Sequence, residues 1–148
     1  MSIITSFDIN AFGMTAQRCR MDVISENVAN ADTTRTEDGT PYRRKVVTFQ
    51  QKGEKVGSFS SVFGKASDAY KGQGVGVSKV SQDTWTEMIK AYDPSHPDAD
   101  ENGYVTYPNV NIVTEMTNLI DASRSYEANA TAFNASKTIA MKGLEMGQ

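Results

Sequence analysis

Cysteine and histidine are almost missing from this chain of 148 residues, where Cys19 and His96 are the sole examples. With one of each, neither a disulfide framework nor a Cys/His zinc cage can be built within a single chain. Long apolar runs are also lacking, and none approaches the ~20 residues that span a bilayer. The first basic residue is Arg18, so the charged start of a secretory leader is absent and the chain reads as soluble, with no direct membrane insertion. An excess of positive charge is absent too. Fifteen Lys and Arg stand against eighteen Asp and Glu, which removes the field that steers proteins onto nucleic acid. Proline is missing from both ends: all four prolines and eight of the eleven glycines lie between Arg35 and Pro108. The ends therefore read as helices and the middle does not. The expected fold class is α+β. Residues 1–34 form an N-terminal helix, 35–108 a small β-rich module with an excursion at 50–71, and 109–148 a C-terminal helix.

What is present at the ends is periodicity. Ile112, Met116, Leu119, Ser123, Tyr126, Ala130, Phe133, Lys137, Ala140 and Leu144 alternate spacings of four and three, a heptad seam of the coiled-coil kind. Asn111 is placed to cap this helix. Ser125, Ala128, Ala132, Ala135 and Ile139 form a second, small-residue stripe. At the other end Phe7, Met14, Met21 and Val28 recur every seven residues with Ile4 and Ala11 beside them. Ile9, Phe12, Ala16, Cys19 and Val23 lie roughly opposite at about 100° per residue. A helix on a monomer surface needs one apolar face, whereas a helix held between layers needs two. The two ends are expected to pair with each other and then, through the second stripe with Phe12 and Ala16, with neighbouring subunits.

In the middle, Arg44–Phe49, Val75–Val80 and Thr84–Tyr92 are β-branched runs between turn signals and read as strands. Asp98-x-Asp100-x-Asn102-Gly103 matches the start of a calcium loop, but position twelve is Asn109 where a bidentate Glu belongs. Asp93, His96, Asp98 and Asp100 read as a solvated acidic turn, and no metal or cofactor is expected. Cys19 sits on an apolar stripe and reads as a packed thiol. Gly72, Gly74 and Gly76 lack the spacing of a dinucleotide loop and read as bulges or close strand approaches. Arg43, Arg44 and Lys45 are expected to meet acidic residues of an adjoining subunit or to line a solvated strand edge. No acid/base pair or nucleophile constellation is visible, so no enzyme is expected. Asn27 and Asn30 read as helix-ending residues, since asparagine tolerates left-handed backbone.

The stretch Val23-Ile24-Ser25-Glu26-Asn27-Val28-Ala29-Asn30-Ala31-Asp32-Thr33-Thr34 resembles the signature of bacterial flagellar rod and hook proteins, in which two asparagines three apart end the first helix. Arg35–Val47, Tyr92–Asp100 and Gly103–Asn111 are similar to the proximal-rod members of that superfamily. The resemblance implies a non-enzymatic subunit without cofactors, exported unfolded and without a cleaved leader through the flagellar type III apparatus. It implies assembly with copies of itself and other rod proteins into a torque-transmitting shaft of the basal body in the cell envelope, the paired helices lining the tube. Phe7, Phe12, Met14, Ala16, Met21, Val28, Ile112, Met116, Leu119, Tyr126, Phe133 and Leu144 are then the candidate assembly residues. The alternatives are another rod- or hook-type axial protein, or a calcium-binding adaptor module.

Overall fold

Freed of proline, both ends of the chain close their backbone hydrogen bonds as helix. The computed structural model describes residues 3–52 and 74–146, so most of the 50–71 excursion lies outside the described residues. In chain order the elements are α1 (Ile3–Ala29), β1 (Lys45–Gln51), β2 (Val75–Gln82), β3 (Ile89–Tyr92), β4 (Tyr104–Tyr107) and α2 (Ile112–Glu145). Asn111 caps α2: its backbone is extended and its side chain accepts from the Thr114 N–H at 3.1 Å, satisfying one of the unpaired donors at the helix start.

α1 and α2 pack along each other, and α1 also packs against β1 and β2. Phe7 meets Phe133 edge to face, with ring centroids 5.0 Å apart, a favoured aromatic geometry. Farther along, Gly13 lets the helices approach closely, because a Cβ there would sit 2.5 Å from Asn129 Oδ1.

On its other side α1 is covered by the same chain. β1 and β2 pair antiparallel from Lys45↔Gln82 to Gln51↔Val75, with a bulge at Thr48/Phe49. Gly74 brings the chain back onto the helix: its φ of +73° suits glycine, and a Cβ would lie 2.9 Å from the Phe12 ring. Lys52 Nζ stands 3.4 Å from the centroid of that ring. Ala16, expected at a subunit interface, is only 2% exposed in the single chain. Ala16 and Val23 of the second stripe are thus covered within one molecule, while Ile9, Phe12 and Cys19 stay half-buried.

The seam on α2 is likewise displaced. Leu119, Ser123, Ala130, Phe133 and Ala140 are half-buried, but the fully buried positions are Glu115 and Ala122, and Met116 is exposed. Small or polar side chains line the closest approach, so the apolar pattern alone misplaces this face by one residue. Ile112, Met116, Tyr126 and Leu144, expected in the seam, are exposed.

β3 and β4 form a separate antiparallel ribbon from Ile89↔Tyr107 to Tyr92↔Tyr104. The expected strand at Thr84–Tyr92 begins only at Ile89, because Asp83 folds the preceding residues into a turn. β4 is not among the strands that the β-branched runs predict. Val105 within it is fully buried, and Ala31, Tyr42 and Val110 form the small core beneath.

Candidate assembly interface

The end of α1 carries a buried polar junction that fixes how the helices meet the β module. Asn27 is fully buried. Its Nδ2 donates to the Lys45 carbonyl at 2.8 Å and to Glu115 Oε2 at 3.0 Å, and its Oδ1 accepts from the Lys45 N–H at 2.8 Å and the Tyr42 hydroxyl at 2.9 Å. An amide offers two donors and two lone pairs, and all four are used. Asn27 therefore does not end the helix as expected. It lies within α1, and no described residue other than glycine has positive φ. Asn30 works locally, donating to the Glu26 carbonyl at 2.9 Å and accepting from the Thr33 hydroxyl at 3.2 Å.

Glu115, in the first turn of α2, is the charged centre of the junction. Its Oε1 accepts from Arg44 Nε at 2.9 Å and Nη2 at 2.7 Å, a two-pronged geometry that compensates a buried carboxylate well. The helix N-terminus favours the same charge. Arg44 also approaches Asp83 at 3.7 Å, and Lys45 pairs with Glu26. The basic cluster thus meets acids of its own chain, which corrects the expectation of an adjoining subunit for Arg44 and Lys45. The reason is topological: the start of β1 runs between the end of α1 and the start of α2. Burial, with the carboxylates of Glu26 and Glu115 adding to it, pushes the Tyr42 phenol up to about 12.

Asn109 extends the junction to the β module. It accepts from the Arg44 N–H at 2.9 Å and donates to the carbonyls of Asp83 at 3.0 Å and Thr86 at 3.2 Å. The Asp83 carboxylate accepts from the hydroxyl and N–H of Thr86 and the N–H of Trp85. These bonds, led by the Thr86 hydroxyl and joined by the Arg44 charge, hold it below the ordinary carboxylate range. Glu115, Tyr42, Asn109 and Trp85 are not among the expected site residues, because a single buried Glu in an otherwise apolar seam carries no periodic signal.

Outside this junction, and apart from Leu119 and Phe133, the large apolar side chains of α2 are exposed. Val113 is 75% exposed, Met116 55% and Leu144 76%, with Ile112, Ile120, Ile139 and Met141 also exposed. Contiguous exposed apolar surface is uncommon on isolated proteins and marks contact sites. On α1, Phe7, Met14, Met21, Val28 and Phe12 are half-buried. The acidic turn engages itself and the α1 exit: Asp98 accepts from Thr34 at 2.8 Å and lies 3.6 Å from Arg35, Asp100 accepts from two backbone N–H groups, and His96 Nδ1 accepts from the Asp98 N–H. Cys19 is a half-buried free thiol. Among the described residues no helix is long and apolar enough to cross a membrane.

Comparison with known proteins adds names to these surfaces. Residues 8–35 match the family described as flagella basal body rod protein, and residues 101–146 match the C-terminal family of flagellar basal body rod FlgEFG proteins. Over whole chains, the sequence is 46% identical to the flagellar basal-body rod protein FlgC of Bacillus subtilis, with all of both chains covered. It is 42% identical to FlgC of Borreliella burgdorferi, with 100% of this chain and 99% of that one covered. Against FlgC of Salmonella typhimurium the identity is 40%, again with both chains covered throughout.

Proposed function

Because this chain belongs to the FlgC family of flagellar basal-body rod proteins and is a structural subunit of the flagellar basal body, we propose that the outward face of α2 is its principal contact with neighbouring rod subunits. The observation that carries this reading is the exposure of Val113, Met116, Ile120 and Ile139 on a helix whose other side is already packed on α1. Such a layer buries its remaining apolar surface only by assembling. The partners are further copies and other rod proteins, and the product is a proximal segment of a shaft that transmits torque. The subunit reaches it unfolded through the flagellar type III export apparatus and performs no catalysis.

The test is Met116→Asp. A carboxylate at this exposed position changes monomer stability within about ±0.5 kcal/mol, whereas in a packed wall it is buried without a partner. Subunits carrying it are expected to be exported, to melt as the wild type does, and to leave cells without rods. Normal rods and swimming would sink the reading.

A further inference from the structure

Trp85 is the single tryptophan of the chain and is 95% exposed. It is not on a loose segment. The Asp83 carboxylate accepts from its N–H at 3.1 Å, the Asp83 N–H donates to the Arg44 carbonyl at 2.7 Å, and the Asn109 amide clamps the carbonyls on either side of it. A large ring presented to water from a backbone turn wired into the buried junction brings its apolar area to a contact without the turn having to be ordered first. Such rings are the preferred anchors of protein interfaces.

The same molecule carries a cleft that fits this anchor. Between α1 and β1 lies a cavity of about 300 Å³, lined by the apolar Val23, Ile24, Val46 and Phe49 and by charged residues that include Arg20, Arg44 and Glu115. The volume admits one indole, the apolar part of the lining suits its faces, and the Arg20 guanidinium is placed for cation–π contact. Charge agrees as well: Glu87, exposed two residues beyond Trp85, is opposite in sign to Arg20. We propose that the Trp85 turn of one copy docks in the α1–β1 cleft of a second copy, with Glu87 against Arg20. Knob and cleft are different patches of one surface, so the contact is heterologous and adds copies in sequence rather than closing a two-fold dimer. This inference rests on the assembly reading above and specifies one contact within it.

The wild-type chain, concentrated until it self-associates, is the material for the test. Its lone indole reports directly: emission shifts to the blue as assembly proceeds, and Trp85→Ala leaves the monomer's melting temperature unchanged while abolishing sedimentation of larger species. Arg20→Glu is expected to prevent association, and Arg20→Glu with Glu87→Arg to restore it. In a Cys19→Ser background, mixed chains carrying Trp85→Cys and Val46→Cys form an intermolecular disulfide on oxidation. Unshifted emission on assembly, wild-type association of Trp85→Ala, or failure of the charge exchange to rescue would overturn the contact. Loss of assembly in Met116→Asp alongside normal assembly of Trp85→Ala defeats this contact and leaves the rod reading intact. Normal assembly of both defeats the two together.

Discussion

Asn27 on α1 and Glu115 on α2 meet side chain to side chain at 3.0 Å across 88 positions of sequence. Both are fully buried, and the amide is the one partner that can donate to Glu115 while also completing the edge of β1 at Lys45. A residue of the same shape without donors cannot stand in for it.

Asn27→Asp keeps the shape and removes both donors, setting a second carboxylate against Glu115. At neutral pH the variant is expected to lose about 3–5 kcal/mol, as for a buried charge left without compensation. The new group's folded-state pKa lies above its unfolded value, so the penalty is present at high pH and fades as pH falls through the folded value and the acid regains a proton to donate. Urea unfolding of both proteins across pH 5 to 8 checks this, and a gap that stays constant with pH contradicts it.

Tyr42 gives the opposite test, at alkaline pH. Its phenol titrates near 12 in the fold against 10.0 in the free side chain. A raised pKa means that the folded state holds the proton more tightly, so this contribution is complete below pH 10 and is lost as pH rises towards 12. Tyr42→Phe cannot ionise and is expected to lose less stability than wild type over that interval. Thermal melts at matched ionic strength measure the two slopes.

At the helix crossing, Gly13→Ala gains roughly 0.8–1.0 kcal/mol of helix propensity but drives its Cβ against Asn129 Oδ1. Asn129 is held by a 2.7 Å bond to the Ser125 carbonyl, so the single variant is expected to be less stable than wild type. Gly13→Ala combined with Asn129→Ala is expected to exceed it. A double-mutant cycle from denaturant midpoints isolates the coupling. Additive effects would show that the crossing is not limited by this contact.

Ala16→Asp separates the two faces of α1. Buried within the monomer, the carboxylate is expected to cost several kcal/mol and to lower the melting temperature of the isolated chain. The corresponding change at exposed Ile120 is expected to leave that temperature unmoved. Differential scanning calorimetry on dilute protein decides between them.

The sequence carried the two helices because proline-free, periodic stretches at both ends have few alternatives. It carried the α+β layout because the prolines and eight of the eleven glycines fall in the middle, around the short β-branched runs. The placement of contacts was less legible. Ala16 and Phe12 looked like subunit contacts because nothing local reveals that β1 and β2 fold back over them. Met116 looked like the intramolecular seam because the residues that lie there, Glu115 and Ala122, are charged and small. Asn27 looked like a cap because its partners Tyr42, Lys45 and Glu115 are brought to it only by the topology. Trp85 gave no signal, since exposure is not a pattern.

The junction around Glu115 also sets an order of events. A chain that emerges N-terminus first exposes Asn27 and Arg44 long before the carboxylate that joins them, and contacts so distant in sequence are slow to form. Until α2 has followed, Arg44 and the Asn27 amide lack the carboxylate that joins them, and α1 lacks the helix it packs along. Completion waits for the last element. Rigidity at this junction therefore arrives with the final helix.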